Sequence, residues 1–322
     1  MSSTAQPASD VDILVVIVTR NTCDQTAQAI NSVFQSKDSL AKEVVVVDNG
    51  STDGTPDLMR TKFPNVRYLR QERNLGFAAA NNLGARGTGC EFLLFQNSDA
   101  RLQPGALAEA VAWMRAHPDC GIAGAQLLNP DGSRQNSIAN FPTLATELLN
   151  KSLLRWLFPK RYPGKERRFT EPAEVESVIG AFMLVRQTVW KALDGFDERY
   201  FFFLEETDFC WGARHQGWKV YHLPQVQVWH EQGKSAKQIP AAARIEYWRS
   251  RYIYFRKHHS RLAQALLAAG LGLRLLVNWL SSLLVVLLSL GVKPAWREKH
   301  RVQTALLKWH LRGCPVEMGL PR

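Results

Sequence analysis

The sequence predicts an α/β protein built on a doubly wound, mostly parallel sheet, and three observations carry that prediction. Apolar runs rich in β-branched residues recur at 11–19 (VDILVVIVT), 43–47 (EVVVV) and 92–96 (FLLFQ), too continuous for strands with one face in water. Helical patterns separate them, and strands alternating with helices pair in parallel through right-handed crossovers. Each run ends in short polar residues, and in open α/β sheets ligands bind beyond the carboxyl ends of the strands.

In order, the first strand runs into Arg20-Asn21-Thr22 and a helix whose Ala29, Ile30, Val33 and Phe34 fall at helical spacing. The second ends in Asp48-Asn49-Gly50-Ser51-Thr52-Asp53-Gly54-Thr55. These groups suit a pyrimidine edge and a ribose, and equally an ordinary turn with a helix cap. A third strand is expected at Val66–Leu69. Asn74-Leu75-Gly76-Phe77, followed by Ala78 to Ala80, Asn81 and Asn82, then opens a helix whose start is either a phosphate site or simply a tightly packed cap. The fourth strand ends in Asn97-Ser98-Asp99, with Pro104 near the first position of the next helix. Asp99 either caps that helix or anchors a ligand, directly or through a metal. A G-x-G-x-x-G dinucleotide fingerprint is excluded, because no glycine precedes Gly50. Gly233-Lys234-Ser235 is no phosphate loop, because Val228 stands where its first glycine belongs.

The 322 residues, 46% of them hydrophobic, support one large or two ordinary domains. Five scattered cysteines without a CxxC pair argue against a zinc ribbon or disulfide framework and fit a reducing compartment. Residues 1–10 are polar, are read as a flexible N-terminus, and carry no signal-peptide pattern. Residues 241–322 hold 14 Lys and Arg against 3 Asp and Glu, which accounts for the whole net charge of +11. A neutral body over 11–240 therefore precedes a basic region over 241–322.

Val18-Thr19-Arg20-Asn21, the run from Val47 to Thr55, Asn74-Leu75-Gly76-Phe77 with Asn81, and Asn97-Ser98-Asp99 occur in this order. Together they resemble glycosyltransferase family 2, especially its rhamnosyltransferase-like branch, over roughly residues 11–235. The resemblance implies a GT-A fold, a nucleotide-sugar donor, a divalent metal (Mn²⁺ or Mg²⁺) and inversion at the sugar carbon. It divides the body into a nucleotide-sugar half at about 11–127 and an acceptor and catalytic half at about 128–240. It implies donor contacts at Thr19, Arg20, Asn21, Asp48, Asn49, Ser51, Asn74, Gly76, Asn81, Asn97 and Gly180. Arg20 stands where an aromatic residue is common. Asn97 stands where many relatives carry the first Asp of a D-x-D, so Asp99 needs another metal ligand.

Residues 129–175 are less regular: a turn at Asn129-Pro130-Asp131-Gly132-Ser133, then apolar Leu148–Lys160 and charged Arg161–Arg168. This reads as a mobile loop on the acceptor side or as a solvated surface excursion. A strand is expected at Val178–Val185. Phe201 to Leu204 then leads into Glu205-Glu206-Thr207-Asp208, at the head of a helix running to Gln216. Glu205 and Asp208 share a face, with Glu206 about 100° away. The helix dipole favours the ionised carboxylates, which suits a base, and acidic residues also commonly decorate a first turn. Phe203 and Trp211 are placed to wall the site or stack on an acceptor sugar. The cluster resembles the family's E-D-x-D element, which implies Glu206 as general base, with Asp208 and Glu205 beside it. His230 is either structural or, as the family pattern implies, the second metal ligand.

From Tyr247 to His259 aromatic and basic residues interleave, which suits nucleic-acid bases or a membrane interface. Leu262–Leu273 carries no charge and, after Arg274, neither does Leu275–Val292, 18 residues long. That is the lower limit for a membrane span, and basic residues flank both sides. The expected arrangement is a helix or hairpin lying in the cytoplasmic leaflet of the inner or plasma membrane, against an anionic surface. A single spanning helix and a soluble core helix are the alternatives; nucleic acid is not an expected partner. The functional expectation is transfer of a sugar, first of all L-rhamnose from dTDP-rhamnose, to a lipid-diphosphate-linked saccharide in cell-surface polysaccharide synthesis. A UDP-sugar donor is the alternative, and a nucleic-acid-binding protein using the basic C-terminal region is the alternative of another class.

Overall fold

The computed structural model describes residues 11–36, 38–87, 89–159, 161–162, 168–231 and 239–322. The N-terminal ten residues, Gly233-Lys234-Ser235 and part of the charged stretch before Arg168 lie outside this set. The chain forms two compact units, one of Met1–Phe141, Lys165–Glu198 and Glu206–Gln232, the other of Pro142–Gly164, Arg199–Glu205 and Gly233–Arg322.

The first unit is built on β1 (Ile13–Thr19), β2 (Lys42–Asp48), β3 (Arg67–Arg70) and β4 (Phe92–Asn97), parallel in the order β3-β2-β1-β4. Successive side chains of a strand point to opposite faces, and here both faces are covered. Ile13, Val15 and Ile17 enter one core with Val44, Val46, Phe92 and Leu94. Leu14 and Val16 enter the other with Val45, Val47, Leu93 and Phe95. That double burial is why these strands read as unbroken apolar runs. Helices α1 (Cys23–Phe34), α2 (Thr55–Lys62) and α3 (Phe77–Gly84) make the crossovers. Thr19 lies level with Asp48, and Val18 with Asn97, so the polar strand tips share one edge.

The sheet continues through strands distant in sequence. β10 (Phe182–Arg186) runs antiparallel between β4 and β6 (Cys120–Leu128). β11 (Lys219–His230) pairs parallel with β6, and β5 (Ala100–Leu102) and β8 (Ala173–Glu174) pair antiparallel with β11. β7 (Ile138–Ala139) and β9 (Ser177–Val178) form a separate two-stranded sheet. The fold is thus α/β with a mostly parallel mixed sheet. Helices α4 (Ala106–Ala116), α7 (Gln187–Ala192) and α8 (Glu205–His215) complete this part of the chain.

Several sequence expectations need correction. Pro104 does not open a helix near its first position: α4 begins at Ala106 behind a left-handed Gly105. Between Asp99 and α4 lies β5, whose Ala100 and Leu102 are buried and paired with β11, an alternation too short to read in sequence. The strand expected at Val178–Val185 is broken, because β9 and β10 belong to different sheets and Ile179–Ala181 bridges them. In the segment from Leu148 onward a loop gives way to helix: α5 (Leu144–Leu148) is followed by α6 (Lys151–Leu157), whose Leu153, Trp156 and Leu157 are exposed, as the surface-excursion alternative expects. Asn150 caps α6 by accepting from the Ser152 and Leu153 amides.

In the second unit, α9 (Pro240–His258), α10 (Arg261–Leu288) and α11 (Pro294–Leu311) pack on one another, with Trp309 and Leu306 buried among them. The two uncharged runs of the sequence are one helix. Arg274 sits at an exposed position of α10 and leaves the backbone ladder intact. Leu267, Leu271, Leu275 and Ser282 form the buried stripe of α10; Leu266, Leu273, Leu276, Val277, Leu280, Leu284, Leu287 and Leu288 are exposed. Its 28 residues make it about 42 Å long, and it is long and apolar enough to cross a membrane.

Gly84, the last residue of α3, lets that helix lie directly on the sheet. A Cβ there would meet Val16 Cγ1 at 2.5 Å and Val47 Cγ2 at 3.0 Å. Because both valines sit in a closed core, Gly84→Ala should cost about 1–3 kcal/mol despite better helix propensity. A lowered midpoint in urea unfolding is the expected result.

Candidate functional site

The strand tips are knit into a platform. Thr19 Oγ1 shares hydrogen bonds with Thr22 Oγ1 (3.0 Å) and Thr26 Oγ1 (2.7 Å). Asn21, left-handed at φ 53°, donates its N–H to Ser51 Oγ (3.0 Å) and accepts the Thr52 N–H (2.7 Å). Asp48 accepts the Ser51 N–H at 2.8 Å and the Tyr68 hydroxyl; burial and that bond raise the Tyr68 pKa. Asn49 is a staple: its N–H donates to Thr19 O (2.9 Å), its amide donates to Gly76 O (2.9 Å), and its Oδ1 accepts the Leu75 N–H (3.3 Å). Asn74 Oδ1 accepts the Gly76 N–H at 3.0 Å. Gly76 adopts φ +85°, ψ −179°, a backbone region open essentially to glycine alone. Asn81 lies buried inside α3, its amide donated to Phe77 O. Arg20 Nε is buried without an acceptor among the described residues, a cation at the tip of β1.

Glu206 stands at the other side of the 179–181 bridge. A Cβ on Gly180 would lie 3.8 Å from Glu206 Cβ and Cγ and 3.8 Å from Phe77 Cε1. Glu206 is therefore brought to the start of α3 over a residue with no side chain. On the other side of the bridge, Ala181 O accepts the Asn97 N–H at 3.2 Å. Glu206 Oε2 is buried with no hydrogen-bond partner among the described residues, and burial raises its pKa to about 7. A carboxyl poised near neutrality is suited to take a proton. Asp208, on a different face of α8, is almost fully buried, as is Glu205. Trp211 is half-buried and stacks on His215 at 3.4 Å between centroids; in the second unit Phe203 meets Tyr247 edge-on at 5.5 Å.

Asp99 and His230 are brought together by β5 and β11, with Asp99 Oδ1 3.3 Å from His230 Nε2. Asp99 caps no helix, since α4 begins beyond β5. Gln135 fixes the ring. Its amide nitrogen donates to Asn129 Oδ1 (2.8 Å) and to His230 O, so its Oε1 accepts from His230 Nδ1 at 3.0 Å. With the proton on Nδ1 held by Gln135, Nε2 faces the Asp99 carboxylate, and in the neutral form of the ring it presents a lone pair there. Two acceptors so close fit one side of a divalent cation's shell, with the outer nitrogen oriented as metal-binding histidines require. Asn97 Nδ2 lies 3.5 Å from the same Nε2. Among the described residues no group of three or more His, Cys, Asp or Glu gathers, so the remaining ligands would be oxygens of substrate or water, which suits Mn²⁺ or Mg²⁺ rather than a zinc cage. Gln135, Tyr68 and Thr22, which bonds Ser98 Oγ at 2.9 Å, were not legible beforehand, because their partners lie far along the chain.

The profile of glycosyl transferase family 2 matches residues 14–193, more than half of the chain. The chain belongs to this family. The N-acetylglucosaminyl-diphospho-decaprenol L-rhamnosyltransferase of Mycobacterium tuberculosis is 30% identical over 246 residues, 70% of this chain and 80% of that protein. The low-salt glycan biosynthesis hexosyltransferase Agl10 of Haloferax volcanii is 25% identical over 202 residues, 61% of each. The mannosyltransferase PcManGT from Pyrobaculum calidifontis, solved with GDP-Man and Mn²⁺, matches with a TM-score of 0.55 at 16% identity. The match covers 94% of this chain and 86% of that one. The protein is thus a family 2 glycosyltransferase with a GT-A fold, rhamnosyltransferase-like in sequence.

The raised pKa of Glu206 has a consequence for stability. Between its ordinary value near 4.5 and about 7 the folded protein binds more protons than the unfolded chain, so stability falls as pH rises through this window. Glu206→Gln removes that dependence. The variant should gain about 1–3 kcal/mol on the wild type between pH 4.5 and pH 8, read from urea unfolding at both pH values.

Proposed function

We propose that this glycosyltransferase moves a sugar, L-rhamnose from dTDP-rhamnose as first choice, to a hydroxyl of a lipid-diphosphate-linked saccharide with inversion. The observation that carries the reading is Glu206: a half-buried side chain with one carboxylate oxygen buried, its pKa raised by burial to about 7, held over Gly180 beside the start of α3. The donor and acceptor classes are supported by the name of the mycobacterial relative, a rhamnosyltransferase acting on a diphospho-decaprenol.

The donor's base and ribose rest on Thr19, Arg20, Asp48 and Asn74, with Asn21, Asn49, Ser51, Gly76 and Asn81 holding that surface in shape. Arg20 offers a cation to the donor's phosphates. Asp99 and His230 would hold a divalent cation; when bound, it supplies positive charge to the departing nucleotide diphosphate, and the mannosyltransferase of similar fold was solved with Mn²⁺. Asn97 orients the donor beside that pair. Gly180 leaves room for the sugar. Glu206 takes the proton from the acceptor hydroxyl, whose oxygen then attacks the anomeric carbon from the face opposite the diphosphate. Asp208 and Glu205 support Glu206 from the same helix, and Trp211 offers a ring to the acceptor. The exposed apolar face of α10, bracketed by basic residues, supports work at the cytoplasmic surface of a membrane, in cell-surface polysaccharide synthesis.

Glu206→Gln should bind nucleotide normally and lose transfer by about 10²–10⁴-fold; near-normal turnover would move the base role to Asp208. The wild type should show an ascending limb in kcat/KM with an apparent pKa near 7, because only the ionised carboxylate accepts a proton. Gln135→Leu should weaken divalent-ion activation about 10–100-fold by releasing the His230 ring, with thermal unfolding showing that the fold persists. Unchanged activation in a metal titration would remove His230 from the site.

A further inference from the structure

Helices of the second unit gather arginines around a single carboxylate. Glu147, on α5, and Arg251, on α9, pair at 2.9 Å, both side chains nearly inaccessible. Arg251 lies 4.9 Å from the ring centroids of Tyr247 and of Trp248, and its Nε is buried without an acceptor among the described residues. Arg244 stands two turns earlier on the same stripe of α9 as Tyr247 and Arg251, and is exposed. Arg274 reaches this group from α10. Partial loss of hydration and the charges of Arg251 and Arg244 lower its pKa, while Glu147 and Tyr247 oppose them. Arg251 thus pairs with Glu147, while Arg244 and Arg274 add two exposed positive charges within electrostatic reach of one another, an excess of two over the single carboxylate. Like charges so gathered repel one another unless an anion joins them.

The surroundings narrow the anion's identity. Leu273, Leu276 and Val277, beside Arg274 on α10, are exposed. One turn before Arg274, Leu148 packs against Gly270, whose missing side chain admits α5 to α10. Exposed Leu149 follows directly. The cationic cluster therefore opens beside an apolar helix face. Its ligand should join an anionic head to a long hydrocarbon. A diphosphate diester carries two negative charges, matching the excess, whereas a simple phospholipid phosphate carries one. Planar guanidinium groups suit paired phosphoryl oxygens. Tyr247 meets the ring of Phe203, which precedes Glu206 by three residues in the chain.

We propose that Arg244 and Arg274, beside the buried Glu147–Arg251 pair, bind the diphosphate of a prenyl-diphosphate-linked acceptor, with its hydrocarbon along the exposed face of α10 and its sugar passing Tyr247 and Phe203. This rests on the glycosyl-transfer reading above and adds the acceptor's anchoring site to it.

The test uses the full chain in neutral detergent and the double variant Arg244→Gln/Arg274→Gln, which spares the buried Glu147–Arg251 pair. Farnesyl diphosphate is the binding probe, farnesol and inorganic pyrophosphate are controls, and phosphatidylglycerol vesicles report general anionic attraction. Binding of farnesyl diphosphate should weaken about tenfold or more in the variant, and the KM for a prenyl-diphosphate-linked acceptor should rise in parallel. Nucleotide binding and vesicle flotation should stay as in the wild type. Unchanged farnesyl diphosphate binding overturns the proposal, as does a loss confined to flotation, which would make the arginines a phospholipid contact. If the wild type transfers to the prenyl-linked acceptor and the variant does so with the same KM, the site fails while the function stands. If the wild type transfers to no such acceptor yet loses farnesyl diphosphate binding on substitution, the function fails while the site stands.

Discussion

The site depends on the parallel register of β1 with its two neighbours. Because Thr19 is level with Asp48, and Val18 with Asn97, three polar tips from distant parts of the chain end at one edge. A slip of one residue would invert every side chain of a strand whose two faces are both buried, so the core on each side enforces the register. The Asn49 staple then carries that order outwards. It ties the tip of β1 to the loop before α3, so the Gly76 turn is positioned by the sheet and not by its own sequence.

The second constraint is the insertion of β10 between β4 and β6. This antiparallel strand brings the 179–181 bridge between Asn97 and Glu206, with a backbone hydrogen bond to one side and a glycine beneath the other. The chemistry is thereby divided. On one side, Asp99 and His230 are held by an edge pairing and by Gln135. On the other, Glu206 is half-buried, with one carboxylate oxygen buried and unpartnered among the described residues. Burial alone raises the pKa of Glu206, so the helix-dipole argument for an ionised carboxylate is outweighed here by desolvation.

In the second unit a long helix uses one stripe for packing and leaves the rest apolar and exposed. The stripe of Leu267, Leu271 and Leu275 repeats every four residues, as helix packing requires. Arg274 lies outside it, so its charge does not interrupt the helix, although in the sequence it divides two uncharged runs. From there its charge is felt by Arg244 and Arg251 of the neighbouring helix α9.

The sequence by itself determined the α/β class, the four parallel strands and the ordered polar motifs at their ends, because strands buried on both faces must be apolar throughout and crossover helices show a different period. It also marked Asp99, Glu206 and His230 as chemically capable. It misread Pro104 and the Val178–Val185 run, where short elements take their form from partners far along the chain: β5 from β11 and β9 from β7. Only the tertiary structure decided that Asp99 meets a histidine 131 positions later instead of capping a helix. It also decided that Gln135 orients that ring and that Gly180 makes room for Glu206. The physical reason is that these roles rest on desolvation and on hydrogen bonds between non-local groups, and a local pattern of residue types records neither.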